Sequence, residues 1–454
     1  MSAYSIATRG LAGRKIPQGT LTLAQRVSAM FSCGKPGAWY GPSDLSTLFQ
    51  DETKDTPVTA VEQPVGLMLD KSGRGNHAWQ ATTTKRPVLS RRVNLLTKTE
   101  DFQAVAWITP PSGTVKSNNA GADPLGGGTA GKVECTQAGL FIYVANAVAS
   151  GLITGATYRV TCHIRNGVGV PSITFYNGKF GSYKSATINL TTGAVTGSNY
   201  ATPPVVSVAS DGWVKISVDI VAPATDGVYC YVQSSTENSV GDHFFIWHPS
   251  LTLATDAHLS YQWVNTDTDY DADPNKFPAY LRFDGVDDAL QTGDIDFTST
   301  DKMTVWAGVL RTLTSTAQEI CGLTAYPVNA GAFTLWASTG AEAGVSNTLA
   351  AFSSAISGSL KVASQPLPNN TQAVLNGYQN STGVNVRLNS GAISTVAAIP
   401  AANFADAPIY IGSRAGTSNF LNGRLYSLIV RGAQTPLSQI EATELYIKQK
   451  MRMP

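Results

Sequence analysis

An apolar run that breaks at an acidic turn lies in the second half of the chain: Tyr280-Leu281-Arg282-Phe283-Asp284-Gly285-Val286-Asp287-Asp288-Ala289-Leu290. Side chains alternate along a strand, so Leu281 and Phe283 share one face. Asp284-Gly285 supplies the positive φ that a tight reversal needs, and burial resumes at Ala289 and Leu290. The stretch therefore predicts a strand, a turn and a second strand.

The segments that follow extend this pattern toward the C-terminus. Residues 303–310 and 331–336 alternate, and residues 409–412 with 423–430 predict a late pair of strands. Ser438 and Glu441 then fit a capping box. Apolar residues recur at near-helical spacing around it, at Leu437, Ile440, Leu445, Ile447 and Met451. The C-terminal half is therefore predicted to be an antiparallel sandwich that ends in a helix of about three to four turns.

The Phe283-Asp284-Gly285 turn resembles the opening of laminin-G-like, concanavalin A-type jelly rolls, where Phe-Asp-Gly is followed by an acidic residue and a return strand. The resemblance implies that residues 280–454 form a lectin-like sandwich. For the whole chain we expect a mainly β fold. It consists of two antiparallel jelly-roll β-sandwiches after an irregular N-terminal anchor, with a short C-terminal α-helix.

The composition narrows the functional classes. The chain has 454 residues, of which 43% are hydrophobic and 14% charged, with 42 glycines; this is typical of a loop-rich β protein with roughly two or three domains. A net charge of +1 argues against binding to nucleic acid, which needs clustered Lys and Arg.

The sequence shows no apolar span of membrane length and no signal segment. We therefore expect that the protein is made in a cytoplasm and does not insert into a membrane. The cysteines form no metal motif, and Cys162 and Cys230 are expected to be buried.

Residues 94–263 are predicted to form the first sandwich. Apolar faces are formed by Val214, Ile216, Val218 and Ile220 and by Val228, Cys230 and Val232, the latter alternating with outward Tyr229, Tyr231 and Gln233. The segment resembles the carbohydrate-binding-module-like jelly rolls of phage tail and fibre proteins in its opening phrase at residues 94–102, in Asp211-Gly212-Trp213 before a strand, and in Phe244-Phe245-Ile246-Trp247 before Leu251. The resemblance implies a fold more than a ligand.

Residues 1–93 have a different character. A basic arm is formed by Arg9, Arg14, Lys15 and Arg26, and residues 21–31 predict a short helix. The phrases Trp39-Tyr40 and Val65-Gly66-Leu67-Met68-Leu69-Asp70-Lys71-Ser72 resemble a segment that recurs in virion proteins of tailed bacteriophages, although Gly41 replaces an expected aspartate. The resemblance implies that residues 1–93 attach the protein to other virion proteins. It places the protein in the virion, after synthesis in the host bacterial cytoplasm.

Between the two sandwiches, residues 264–279 are predicted to be an acidic linker. In an extended chain, alternation puts four carboxylates on one side: Asp267, Asp269, Asp271 and Asp273. Ca²⁺ binds such oxygen-rich sites, and Asp284 with Asp287 at the following turn offers further ligands. The spacing excludes an EF-hand, because Ala272 stands at the glycine position. The alternative is a solvated linker that its like charges keep extended.

Catalysis is not expected. A glycosidase needs two carboxylates held across a cleft, and Asp284, Asp287 and Asp288 are candidates only by residue type. The sequence shows no Glu-x-Asp-x-x-Glu strand of the kind found in concanavalin-like enzymes, no serine-hydrolase elbow and no HExxH zinc motif. The sequence therefore favours a protein that is not an enzyme.

Sugar sites on β-sandwiches combine aromatic platforms with a few polar hydrogen-bonding groups. Among the aromatic residues, Tyr261 and Trp263 are preferred as an exposed pair, and Trp247 is the third glycan-binding candidate. The alternative is that these rings seal the joint between the two sandwiches.

Three functions remain in contention. The favoured prediction is a tail fibre or receptor-binding component that attaches to host surface polysaccharide through its lectin-like sandwiches. The first alternative is a capsid decoration or head-fibre protein with a structural display role, and the second is a surface polysaccharide depolymerase. Because virion parts are symmetric homo-oligomers by default, we expect a homotrimer.

Overall fold

The computed structural model describes residues 21–148, 152–177, 184–223, 227–312, 317–323, 331–338, 349–356, 359–367, 370–397 and 402–454. These residues form two antiparallel β-sandwiches and two helices, which confirms the predicted fold class. The basic residues Arg9, Arg14 and Lys15 lie outside the described residues.

The elements are numbered along the chain. Helix α1 (Leu23–Ala29) comes first, followed by strands β1 (Gly37–Tyr40), β2 (Leu48–Phe49), β3 (Leu67–Met68), β4 (Ala78–Trp79) and β5 (Val88–Ser90). The next strands are β6 (Thr114–Gly121), β7 (Ala130–Cys135), β8 (Tyr143–Val148), β9 (Thr157–Val168), β10 (Ser172–Asn177), β11 (Lys184–Asn189), β12 (Val195–Thr196), β13 (Val205–Val208), β14 (Val214–Val221), β15 (Val228–Ser234) and β16 (His243–Leu253).

The remaining elements belong to the second half of the chain. They are β17 (Val264–Thr266), β18 (Asp269–Tyr270), β19 (Tyr280–Asp284), β20 (Leu290–Asp296), β21 (Met303–Arg311), β22 (Gln318–Leu323), β23 (Ala332–Ser338), β24 (Leu349–Ile356), β25 (Ser359–Pro366), β26 (Gln372–Gln379), β27 (Gly383–Leu388), β28 (Ile393–Ala397), β29 (Asp406–Ile411), β30 (Asn422–Arg431) and α2 (Leu437–Met451).

The first sandwich pairs a five-stranded sheet, β12-β11-β10-β15-β8, with a six-stranded sheet, β13-β14-β9-β16-β7-β6. The apolar faces predicted from alternation lie between these sheets. Cys162 on β9 and Cys230 on β15 are both fully buried there, as expected for small apolar side chains. Alternation along each strand thus identified the core side of this sandwich correctly.

The second sandwich pairs an eight-stranded sheet with a nine-stranded sheet. Their orders are β28-β27-β26-β21-β30-β19-β5, with β1 also on β30, and β2-β3-β4-β20-β29-β22-β23-β24-β25. Leu281 and Phe283 are buried between the sheets, as the sequence predicts. However, β19 and β20 lie in different sheets, so the turn at Gly285 carries the chain from one sheet to the other. The late strands β29 and β30 are likewise in opposite sheets rather than paired.

The N-terminal segment differs from the separate unit expected for residues 1–93. Strand β1 pairs with β30 and β5 with β19, while β2, β3 and β4 extend the nine-stranded sheet through β20. These strands are two to four residues long. Strands this short have too little apolar surface for a core of their own, so they complete the two sheets of the C-terminal sandwich.

The predicted acidic linker is also ordered. Strands β17 and β18 form a two-stranded hairpin within residues 264–279. Tyr270 and Phe277 are buried, and the Tyr270 hydroxyl donates to Glu62 Oε1 at 2.6 Å. Aromatic burial holds this segment against its neighbours, whereas the prediction rested on its carboxylates, either as Ca²⁺ ligands or as like charges that keep a linker extended.

Helix α2 forms where predicted, but its start differs. The N-cap is Pro436, without a side-chain capping hydrogen bond, so Ser438 lies inside the first turn and the capping box is wrong. The helix packs on the outer face of the eight-stranded sheet, where a Cβ at Gly308 would lie 2.6 Å from Ile447. Because the helix covers this face, every residue of β21 is buried instead of alternating.

Phe283 tests the importance of the 280–290 stretch. Its ring is 1% exposed and lies against Gly412. Phe283→Ala should lower the free energy of unfolding by about 3–5 kcal/mol, because it leaves a cavity between the sheets. The matched control is Val286→Ala in the same turn, where the side chain is 69% exposed, and it should change stability by less than about 0.5 kcal/mol. Urea unfolding measures both; equal effects would contradict the assignment.

Candidate functional site

Two of the predicted glycan-binding aromatics lie in one stack. The His248 ring is sandwiched between Trp247, at 3.2 Å between ring centroids, and Tyr261, at 3.6 Å. The bulge in β16 places His248 at φ 49°, which turns its ring between the other two. The Tyr261 hydroxyl donates to Thr99 Oγ1 at 2.8 Å. Since Trp247 is only 6% exposed, this stack offers no open platform for a sugar.

Burial also keeps the histidines of this stack neutral. It lowers the pKa of His248 to about 3, with a further contribution from His163. The pKa of His163 is lowered to about 4 by burial and by Lys215. Burial raises the pKa of Glu100, whose Oε1 lies 3.6 Å from His248 Nε2. The two histidines are therefore neutral at ordinary pH.

The third predicted aromatic, Trp263, lies elsewhere. It is half-buried, and its carbonyl accepts the backbone N–H of Asp271 at 2.9 Å at the root of the β17–β18 hairpin. The structure thus joins Trp247 and Tyr261 but not Trp263. Its position at the hairpin fits the interpretation in which these residues seal the joint.

The predicted metal ligands fall into two sets. Among the described residues, one group of three acidic side chains has ligand atoms within 4.8 Å of one another: Asp284, Asp287 and Asp288. The four linker aspartates are not gathered in this way. Arg92 donates to Asp267 at 2.5 Å, Asn265 to Asp269 at 2.7 Å and Lys276 to Asp271 at 2.9 Å, while Asp273 forms a longer ion pair with the same Lys276 at 3.8 Å.

The three-aspartate group also holds the turn together. Asp284 Oδ1 accepts the backbone N–H of Val286 at 2.8 Å, and Asp288 Oδ2 accepts that of Asp284 at 3.0 Å. Burial raises the pKa of Asp288 to about 7, and the charge of Asp284 adds to the rise. Asp288 in this cluster therefore binds a proton readily. Calcium binding by the three aspartates stays a prediction.

A different aromatic surface, absent from the predicted site, lies on the five-stranded sheet. Tyr176 on β10 is directly opposite Tyr231 on β15, with ring centroids 4.9 Å apart. Tyr143 on β8 adds a third ring 5.0 Å from Tyr231. All three are half-buried on the side away from the core. We call Tyr143, Tyr176 and Tyr231 the tyrosine face.

Polar groups surround the tyrosine face. The Tyr231 hydroxyl donates to Gln233 Oε1 at 2.9 Å. On the neighbouring strands, the hydroxyls of Thr174 and Thr187 lie 3.3 Å apart. Aromatic rings with nearby amide and hydroxyl groups are what a sugar site needs.

The sequence did carry a signal for this surface. Alternation put Tyr231 and Gln233 outward from a strand with an apolar inner face. Their partners were not visible, because Tyr143 and Tyr176 come from strands whose order in the sheet is set by pairing over 50 to 90 residues. Residues that meet across strands leave no short motif.

Comparisons with known proteins add little. No family model matches the sequence, and no curated protein matches it significantly. The structure is similar to the receptor-binding domain of botulinum neurotoxin type G, at 10% identity and a TM-score of 0.28, over 39% of this chain and 43% of that one. It is similar to domains LG4-5 of the mouse laminin α1 chain at 13% identity and a TM-score of 0.26, over 62% and 82%.

A third similar structure is a Trypanosoma rangeli sialidase in complex with DANA, at 9% identity and a TM-score of 0.27, over 86% of this chain and 68% of that one. The chain spans less than half of the botulinum neurotoxin structure. Similarities with TM-scores below 0.5 do not indicate a function. Neither described helix has the length and apolar character needed to cross a bilayer.

Asp288 makes stability depend on pH. Because the folded state raises its pKa to about 7, it binds the proton more tightly than the unfolded chain does, and stability is lost as pH rises from about 4 through 7. Asp288→Asn keeps an acceptor for the Asp284 N–H and removes the charge. It should stabilise the protein by about 1–3 kcal/mol at pH 8 and by little at pH 4.

Thermal unfolding between pH 4 and pH 8 measures this difference. The control is Asp294→Asn, an exposed aspartate on β20, which should show no pH-dependent difference from the unsubstituted protein. A gain for Asp288→Asn that is equal at pH 4 and pH 8 would show that its charge is not the cause.

Proposed function

We propose that this protein is a non-catalytic, glycan-binding component of a tailed-bacteriophage virion. On this proposal it is a tail fibre or receptor-binding part that attaches to host surface polysaccharide through the tyrosine face. The observation that carries the binding role is the tyrosine face itself.

Three rings in contact on adjacent strands make one continuous aromatic surface. Pyranose rings pack their C–H groups against such surfaces, and Tyr loses little conformational freedom when it binds. Gln233, Thr174 and Thr187 add amide and hydroxyl groups within the same outward face. No Lys or Arg of the described residues is among these groups, so the chemistry suits a neutral saccharide.

The virion role is supported by the sequence phrases around Trp39-Tyr40 and residues 65–72, which resemble virion proteins of tailed phages. Attachment through residues 1–93 and a homotrimeric state belong to the same proposal. Light scattering of the full chain tests the oligomeric state. A structural head-fibre or decoration role would leave the tyrosine face without a ligand.

A depolymerase would need two carboxylates facing each other in a cleft. In the cleft of about 620 Å³ between the two sandwiches, Asp284 is the one carboxylate among the described side chains that line it. Asp288, whose pKa is raised to about 7, does not line it and accepts a backbone N–H instead. The non-catalytic role therefore stays within the proposal.

Tyr231 lies at the centre of the face and tests the proposal. Tyr231→Ala in the full chain should weaken binding to extracted host surface polysaccharide about five- to twelvefold, because one stacking ring is worth about 1–1.5 kcal/mol. Tyr231→Phe keeps the ring and removes the hydroxyl that donates to Gln233, so it should retain most of the affinity. Glycan arrays followed by calorimetry measure both.

The matched control is Tyr410→Ala, which removes a half-buried strand tyrosine of the second sandwich. It should bind like the unsubstituted protein. If folded Tyr231→Ala also binds like the unsubstituted protein, the tyrosine face is not the site. If the unsubstituted chain binds no glycan from susceptible strains, the structural virion role replaces the proposal.

A further inference from the structure

A cleft of about 620 Å³ lies where the two sandwiches meet. Its walls come from the first sandwich at Tyr158 and Leu253, from the connecting segment at Arg92, and from the second sandwich at β19 and the start of β30. This volume lies within the range of small-ligand pockets, roughly 300–1,000 Å³.

Three arginines line this cleft, and each forms an ion pair with a carboxylate that does not line it. Arg92 pairs with Asp267 at 2.5 Å, Arg282 with Glu62 at 3.0 Å, and Arg424 with Asp256 at 2.7 Å. Each pair restricts the movement of its guanidinium group. Restricted guanidinium groups lose less entropy when they bind a planar anion.

Two of the arginines have N–H groups for which no described residue is an acceptor. Arg282 uses Nη2 for Glu62, and no described residue accepts from its Nε or Nη1; its side chain is 49% exposed. Arg424 uses Nη1 for Asp256 and the Tyr426 hydroxyl, and no described residue accepts from its Nε or Nη2. The Nε and Nη2 of Arg424 form the parallel pair that matches the two oxygens of a carboxylate, whereas Nε and Nη1 of Arg282 point to different sides and each offers a single donor.

The other lining residues indicate which kind of ligand, beyond its carboxylate group, fits the cleft. Thr312 and Asn422 offer a hydroxyl and an amide, while Leu152 and Ile153 offer an apolar wall. The lining that the structure describes contains three arginines but one carboxylate, that of Asp284. Its Oδ1 already accepts two backbone N–H groups. A small inorganic anion would leave the apolar wall and much of the volume unused.

We propose that this cleft is a second binding site, specific for a saccharide that bears a carboxylate, such as a uronic acid. Arg282 and Arg424 bind the carboxylate, Thr312 and Asn422 bind ring hydroxyls, and Leu152 with Ile153 packs against the apolar side of the ring. The site is separate from the tyrosine face and does not depend on the function proposed for it.

The test uses the full chain and three probes in calorimetry or saturation-transfer NMR. D-glucuronate should bind, D-glucose should bind at least tenfold more weakly because it lacks the carboxylate, and inorganic sulfate should bind at least tenfold more weakly because it lacks the ring. Arg282→Gln should weaken glucuronate binding at least tenfold. Arg282→Lys keeps the ion pair with Glu62 but loses the Nε and Nη1 donors, so it should also weaken binding while preserving the fold.

The matched control is Arg159→Gln on β9, which breaks a surface pair with Asp219 outside the cleft and should leave glucuronate binding unchanged. Equal binding of glucose and glucuronate would overturn the proposal. Sulfate binding as tight as glucuronate binding would reduce the site to a general anion site. Tyr231→Ala should not affect glucuronate, so failure at one site is distinguishable from failure at the other.

Discussion

A buried ion pair fixes how the two sandwiches meet. Arg424 at the start of β30 reaches Asp256, which follows β16 and is fully buried. Gln372 donates to the other Asp256 oxygen at 2.8 Å, and the Arg424 guanidinium lies 4.6 Å from the centre of the Tyr280 ring. Burying two charges costs several kcal/mol unless further hydrogen bonds satisfy them, so this contact tolerates few alternative geometries. The cleft beside it has a defined shape because the joint has one arrangement.

Much of the fold could be predicted from alternation and turns. The buried faces of β9, β14, β15 and β19 and the existence of α2 follow from local patterns, because core packing and periodicity agree there. The pairing of strands could not be predicted from these local patterns. Strand β1 meets β30 across almost 400 residues, and two-residue strands such as β2 have no periodicity to detect. Local patterns therefore predict a separate N-terminal unit, whereas its strands β1–β5 complete the sheets of the second sandwich.

The candidate site could be predicted only in kind. The sequence indicated that aromatic side chains on a sandwich were the material for a sugar site, but a ring is available only if its faces are free. The bulge at His248 closes the stack of Trp247 and Tyr261, and no local pattern reports that geometry. Likewise, alternating aspartates share a side only in an extended strand, and the β17–β18 hairpin separates them.

Coverage of the sheets explains why the tyrosine face stands out. Helix α2 packs on β21, β26 and β30, so it covers part of the outer face of the eight-stranded sheet. On the six-stranded sheet, Trp213 is capped by Arg165 at 5.0 Å, and Trp247 donates to Thr129 at 2.9 Å, so both rings are buried. The outer tyrosines of the five-stranded sheet keep part of their surface in solvent. Because the protein's own side chains bury the two tryptophan rings on the six-stranded sheet, the half-buried tyrosines of the five-stranded sheet are the more exposed of these aromatic groups.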